Sequence, residues 1–327
     1  MRGWLGGQFL PTNIDAIERS FFGEEQNQSR EHLRDTWSRE RSRKMLFREP
    51  DSAGIKWARR DDELVPESAA NRSDRAAALD PLRRQLQKAI TVIAAELAAS
   101  GRRLSNSPLW IRLADAATAF HAIVASDPLS VPDQLGNAYA LLLQLGRYLE
   151  TDLRVQRDIQ SSDIPLDPET HGLLTDLVRT AAPWLRGFPT IAKWDDAAGK
   201  LLVPGDLVQT AHEFFRIAHK QAVISDEAAD ELKRLGDASE GTDDLGEKAG
   251  NRYIASARNL MIATAEIVSA SLAGIGRSDP SSRTHLAQRA AVALAAAERE
   301  IDAASNVLPS DLALALRALI KTVRTQQ

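Results

Sequence analysis

Cysteine is absent from this 327-residue chain. That excludes disulfides, thiolate nucleophiles, cysteine-ligated zinc and iron–sulfur clusters. Aromatic residues are scarce as well, at 5% against 43% hydrophobic, so the core must be built from aliphatic layers and close backbone approach. Strands favour β-branched and aromatic residues, whereas the abundant alanine, leucine, arginine and glutamate favour helix. An all-α fold is the expectation. No apolar run is fit to span a bilayer: residues 90–99 are too few, and residues 260–275 carry Glu266 among serines and threonines. Residues 1–7 hold no apolar core of signal-peptide length, so a cytoplasmic location is expected. A formal charge of -4 gives no overall attraction to nucleic acid.

Local catalytic patterns are also missing. His212 and His219 share a helix face but stand seven apart, whereas a zinc-protease helix needs histidines four apart with a glutamate between. Two turns separate these imidazoles by roughly 10 Å along the axis, too far for one ion. His32, His121, His171 and His285 have no partner visible in the local sequence, and no Gly-x-Ser-x-Gly elbow exists. The pairs Asp61-Asp62, Asp195-Asp196 and Asp243-Asp244 would hold a divalent ion only if another segment completed the oxygen shell. Among them Asp195-Asp196 is the pair best placed to be held by structure, since Trp194 anchors its segment. Pro50-Asp51 followed by Asp61, Asp62 and Glu63 lacks the lysine of the nuclease pattern, and Gly6-Gly7 and Gly274-Ile275-Gly276 lack the lysine and the setting of a phosphate loop. Neither a cofactor nor a metal is expected.

What is present is a series of capped amphipathic helices. Asp80-Pro81, Ser107-Pro108 and Asp167-Pro168 each place a capping side chain before proline at the first helical position. Behind them run apolar stripes at three- and four-residue spacing, such as Leu82, Leu86, Ile90, Ile93 and Leu97. The helix predicted from Pro132 to about Asp158 is apolar on a wide face (Leu135, Tyr139, Leu142, Leu145, Leu149), which predicts a central helix with several neighbours. Pro183 predicts a kink or early end, and residues 187–199 read as an irregular segment or a single turn anchored by Phe188, Ile191 and Trp194. Helices are further expected from Pro204 through Val223 and over residues 226–235, with residues 236–246 as a loop. Two long alanine-rich helices, 247–275 and 282–305, and a final one over 309–325 complete the chain.

The first seventy residues differ in character. Helices are expected over 12–22 and 30–44, then a small hairpin pairing residues 45–48 with 55–58 around a turn at 50–54, then a linker over 65–73. The predicted organisation is therefore a basic N-terminal appendage with linker, 1–72, and a helical bundle, 73–327, with a subdivision near 236–246 as an option. The appendage carries the candidate interaction residues Arg34, Trp37, Arg41, Arg43, Lys44, Arg48, Lys56, Trp57, Arg59 and Arg60. Arginines interleaved with tryptophans suit contact with phosphates and unpaired bases. The acids mixed among them suit docking on an acidic protein surface equally, or a solvated, partly paired helix face. An acidic stretch over 226–247 is a candidate to meet this basic segment, within one chain or between two.

Three function classes follow. The preferred one is a non-enzymatic scaffold, adaptor or regulatory protein acting through a protein partner or self-association. The alternative is a nucleic-acid-binding protein using residues 30–60. The third is an enzyme whose site is assembled from distant helices around His121, His171, His212 or Asp195. A membrane-surface role for the alanine-rich helices ranks below these, because Arg258, Arg289, Glu298 and Arg299 are distributed along them.

Overall fold

Helix dominates the chain, as its composition predicts. The computed structural model describes residues 52–67, 72–103, 108–157, 164–199, 207–241, 244–272, 280–304, 308 and 310–326. The helices predicted over 12–22 and 30–44, and the strand predicted over 45–48, lie outside these residues. Among the described residues no helix is long and apolar enough to cross a membrane.

One compact unit covers Asp51–Leu260. It opens with an antiparallel hairpin, β1 (Trp57–Arg60) and β2 (Glu63–Pro66), in which Arg60 pairs with Glu63 across the turn residues Asp61 and Asp62. This hairpin turns at residues 61–62, whereas the predicted one pairs residues 45–48, which lie outside the described residues, with residues 55–58. Pro50–Gly54 looks like a turn, but Gly54 serves another purpose. A Cβ there would lie 2.4 Å from the backbone carbon of Ala255, so the chain reaches that helix only because residue 54 has no side chain. The predicted linker also gives way to structure at both ends, with Val65 and Pro66 in β2 and Arg72 and Ser73 in a helix.

The helices of this unit are α1 (Arg72–Ala78), α2 (Pro81–Arg103), α3 (Pro108–Val124), α4 (Leu135–Arg157), α5 (Pro168–Arg186), α6 (Pro189–Ala198), α7 (Leu207–Lys220) and α8 (Asp226–Ala238). To them α9 (Asp244–Leu272) adds its residues up to Leu260. A 3-10 turn, Val131–Gln134, leads into α4. Of the expected caps, Asp80 and Asp167 act as predicted, and Ser107 lies outside the described residues. Asp80 accepts from the Arg83 N–H at 3.0 Å, and Asp167 accepts from the N–H groups of Glu169 and Thr170, both at 3.0 Å. As predicted, α4 is central: it packs on α3, α5 and α8, and Leu141, Leu142, Leu143, Leu145 and Tyr148 are all buried.

Two departures from expectation concern where helices begin and end. Residues 187–199 hold more than the single turn expected; most of them form α6, with Pro189 at its first turn. The buried carboxylate of Asp74, from α1, accepts from the Thr190 N–H at 3.0 Å and from the Thr190 hydroxyl. Phe188, at the N-cap, makes no side-chain cap bond, so the acceptor for this first-turn N–H comes from 116 residues away. The loop expected over 236–246 is likewise shorter, because α8 runs on to Ala238 and α9 begins at Asp244.

Among the described residues the second unit comprises the rest of α9, α10 (Pro280–Ala296), α11 (Glu298–Ala304) and α12 (Ser310–Gln326). The helix predicted over 282–305 is divided at Ala297, although the bonds Ala297 N–H to Ala293 O and Ile301 N–H to Ala297 O, each 2.9 Å, run through the division. Leu286, Leu294 and Ile301 form its core with Leu312, Leu316 and Ile320. The ion pair Arg317–Asp302, 2.6 Å, joins α12 to α11.

Candidate functional site

The 53–57 segment runs along α9 and is read by three of its side chains. Arg252, Ser256 and Asn259 stand at i, i+4 and i+7, on one helix face. Arg252 Nη1 donates to the Ala53 carbonyl at 2.9 Å, and Ser256 Oγ accepts from the Ile55 N–H at 2.9 Å. Asn259 Nδ2 donates to the Ile55 carbonyl at 3.0 Å. The Trp57 indole N–H donates to the Ser256 carbonyl at 3.3 Å.

Beside this seam lies a cleft of about 500 Å³. Its lining brings together the hairpin (Lys56, Arg60, Glu67), the start of α4 (Gly136, Asn137), α6 (Lys193, Trp194) and the buried pair Glu231 and Arg252. Arg252 is 1% exposed. Its guanidinium stacks on the Trp194 ring, 4.1 Å from the centroid, and lies 5.7 Å from that of Tyr139. Glu231 Oε1 stands 3.6 Å from Arg252 Nη2, an ion pair looser than a hydrogen bond. Burial pushes the Glu231 carboxyl above its usual range against the pull of Arg252, and burial lowers the arginine.

Around that pair the Asp195 carboxylate is fully engaged. Asp195, 4% exposed, accepts from the Tyr139 hydroxyl at 2.7 Å and pairs with Arg186 at 3.0 Å and Lys248 at 3.3 Å. Asp195 is therefore held by structure, as expected, and its charged partners are cations. Among the described residues no group of three or more His, Asp or Glu is placed to hold a metal ion.

The candidate residues of the basic segment separate by strand parity. Lys56 and Arg60 line the cleft, and both are exposed. Trp57, half-buried, points to α9, and Arg59 Nε donates to the Asp61 carbonyl at 3.2 Å, bracing the turn. Arg34, Trp37, Arg41, Arg43, Lys44 and Arg48 lie outside the described residues. In the acidic stretch, Asp226 pairs with His219 at 2.9 Å, Asp244 with Lys248 at 2.8 Å, and Glu240 with Arg147.

Sequence reasoning finds Trp194 as an anchor but misses two participants. Lys193 is hidden because α6 has no cap of its own. Arg252 is hidden inside an alanine-rich helix that reads as scaffold. A further surprise lies apart from the cleft. Asp152, fully buried, accepts from the Leu166 N–H at 2.7 Å and from Gln156 at 2.7 Å, and lies 2.6 Å from His171 Nδ1. An acid–histidine pair of this kind is two-thirds of a hydrolase triad in geometry only. Among the described residues no hydroxyl bonds His171, and the carboxylate clamps α4, residue 166 and α5 together. His212 and His219 go separate ways, the first 3.4 Å from the Tyr253 hydroxyl and the second to Asp226.

Comparison with protein-family models, curated proteins and solved structures finds no match to this chain.

Proposed function

We propose that this is a non-enzymatic interaction protein, and that the cleft over Arg252 receives an acidic segment of a protein partner. The observation that carries this reading is the convergence of Lys56, Arg60 and Lys193. All three line one cleft, and none has a carboxylate partner among the described residues. Beneath them a rigid floor supports a binding role: Trp194 and Arg252 are stacked, and Asp195 is bonded on both oxygens. Cations of this kind steer an anionic partner and set its affinity through complementarity. Glu67 and Glu227 in the same lining disfavour a uniform polyanion, which favours a protein segment with a few acids over a nucleic acid.

The test uses the full chain with two fluorescent probes: a peptide with a few glutamates among neutral residues, and a single-stranded oligonucleotide. The peptide should bind saturably, weaken with salt, and lose about tenfold or more in affinity to the Lys56→Glu/Arg60→Glu/Lys193→Glu variant. Peptide binding that ignores this charge reversal would refute the cleft as the site. Oligonucleotide binding with a steep salt slope, and none of peptide, would transfer the function to nucleic acid.

A further inference from the structure

The hairpin has two outer edges, and β2 is paired at Leu64 on its outer edge. On β2, the Leu64 N–H donates to the Val223 carbonyl at 2.8 Å, and the Leu64 carbonyl accepts from the Ser225 N–H at 3.2 Å. Leu64 therefore points its main-chain groups away from β1. Its cross-strand neighbour is Arg59, and facing residues of an antiparallel pair point their groups both inward or both outward. Arg59 and, two residues earlier, Trp57 thus present N–H and C=O outward. Ile55 has the same parity, and there Ser256 and Asn259 close the edge. Among the described residues nothing closes it at Trp57 and Arg59.

We propose that this open edge of β1 is where the acidic segment docks, adding to the hairpin as a third strand; the mode rests on the interaction role proposed above. Strand addition draws affinity from main-chain hydrogen bonds and selectivity from alternate side chains. The charge of the edge selects the occupant. Lys56, Arg59 and Arg60 line it without an acid, and the acids Asp61, Asp62 and Glu63 begin only at the turn and on the far strand. Carboxylates on the incoming strand then stand opposite residues 56–60. Those at every second position share the face of Lys56 and Arg60, and so overhang the cleft. A second copy of the chain is a poor occupant, because β1 against β1 sets these same cations opposite one another.

Backbone N-methylation of the glutamate peptide tests the mode, read by anisotropy on the full chain. Methylation at two positions separated by one residue should each weaken binding about tenfold, with the position between them unaffected. The Arg59→Pro variant, which lacks the outward N–H, should bind the unmethylated peptide as weakly, with its helical circular dichroism unchanged. Equal tolerance of methylation at every position overturns strand addition and leaves the interaction role standing. Failure of the unmethylated peptide to bind overturns both. A dimer of the chain alone that Arg59→Pro abolishes assigns the edge to a second copy and overturns the acidic segment.

Discussion

Ala222 ends α7 with φ at 51°, a left-handed conformation that an L side chain resists. The bonds around it explain why it stays there. The Val223 N–H reaches back to the Ala218 carbonyl at 2.9 Å and the Ala222 N–H to the His219 carbonyl at 2.8 Å, the paired closure that favours glycine at this position. Ala222→Gly should therefore raise stability by about 1 kcal/mol, measured as a higher urea midpoint at unchanged slope. A lower midpoint would mean that the alanine methyl packs better than its backbone suffers. Arg252 illustrates the opposite case, in which burial is offset in part by Ala53 O, Trp194, Tyr139 and Glu231, while its buried Nε makes no hydrogen bond. Neither residue stands out in the sequence. An alanine with positive φ looks like any other alanine, and an arginine in an alanine-rich helix looks like a solvated one.

At the scale of elements, α1 caps the first turn of α6. Replacing Asp74 by alanine removes the acceptor of the Thr190 N–H and leaves a buried donor without that partner, at a cost of about 1–3 kcal/mol. Hydrogen exchange should show the first turn of α6 opening in Asp74→Ala. Asp80→Ala, which strips an exposed cap from α2, should cost about 1 kcal/mol and leave α6 protected. Equal protection of α6 in both variants would count against the cap from α1. Since α6 carries Lys193 and Trp194, the same substitution of Asp74 should loosen one wall of the cleft. The helices that cap themselves, α2 and α5, are legible because Asp80 and Asp167 immediately precede them. The hairpin is half legible. Residue pattern marks strand near residue 57, but turn chemistry points to Pro50–Gly54, where Gly54 instead answers to a backbone two hundred residues away.

At the scale of the molecule, the scarcity of aromatic residues has a measurable consequence. The chain has three tyrosines, and burial raises the pKa of all of them: Tyr148 is pushed up to about 12, and Tyr139 and Tyr253 are raised too, helped by Asp195 and Asp237 respectively. An exposed tyrosine ionises near 10. Below that pH neither state ionises and stability is unaffected. Above it the unfolded chain releases protons that the folded chain retains, so stability falls as pH rises, by up to roughly 1.4 kcal/mol per pH unit for each tyrosine. Tyrosinate absorbance should stay flat through about pH 10–11 and then rise in one step together with loss of helical circular dichroism. Independent ionisation near pH 10 with the helix intact would show that these hydroxyls reach water.

The sequence by itself determined the class of this protein: helical, cysteine-free, with a central helix and capped neighbours. Those properties follow from propensity, three- and four-residue periodicity and side chains that bond within one turn, all of which act over short stretches of chain. Only the tertiary structure decided the site. Its cleft depends on Lys56, Lys193, Glu231 and Arg252 meeting from four separate segments, on a helix capped from another helix, and on a glycine fitted to a distant backbone. Contacts of that kind leave no local period, because each residue's partner is set by how the helices pack.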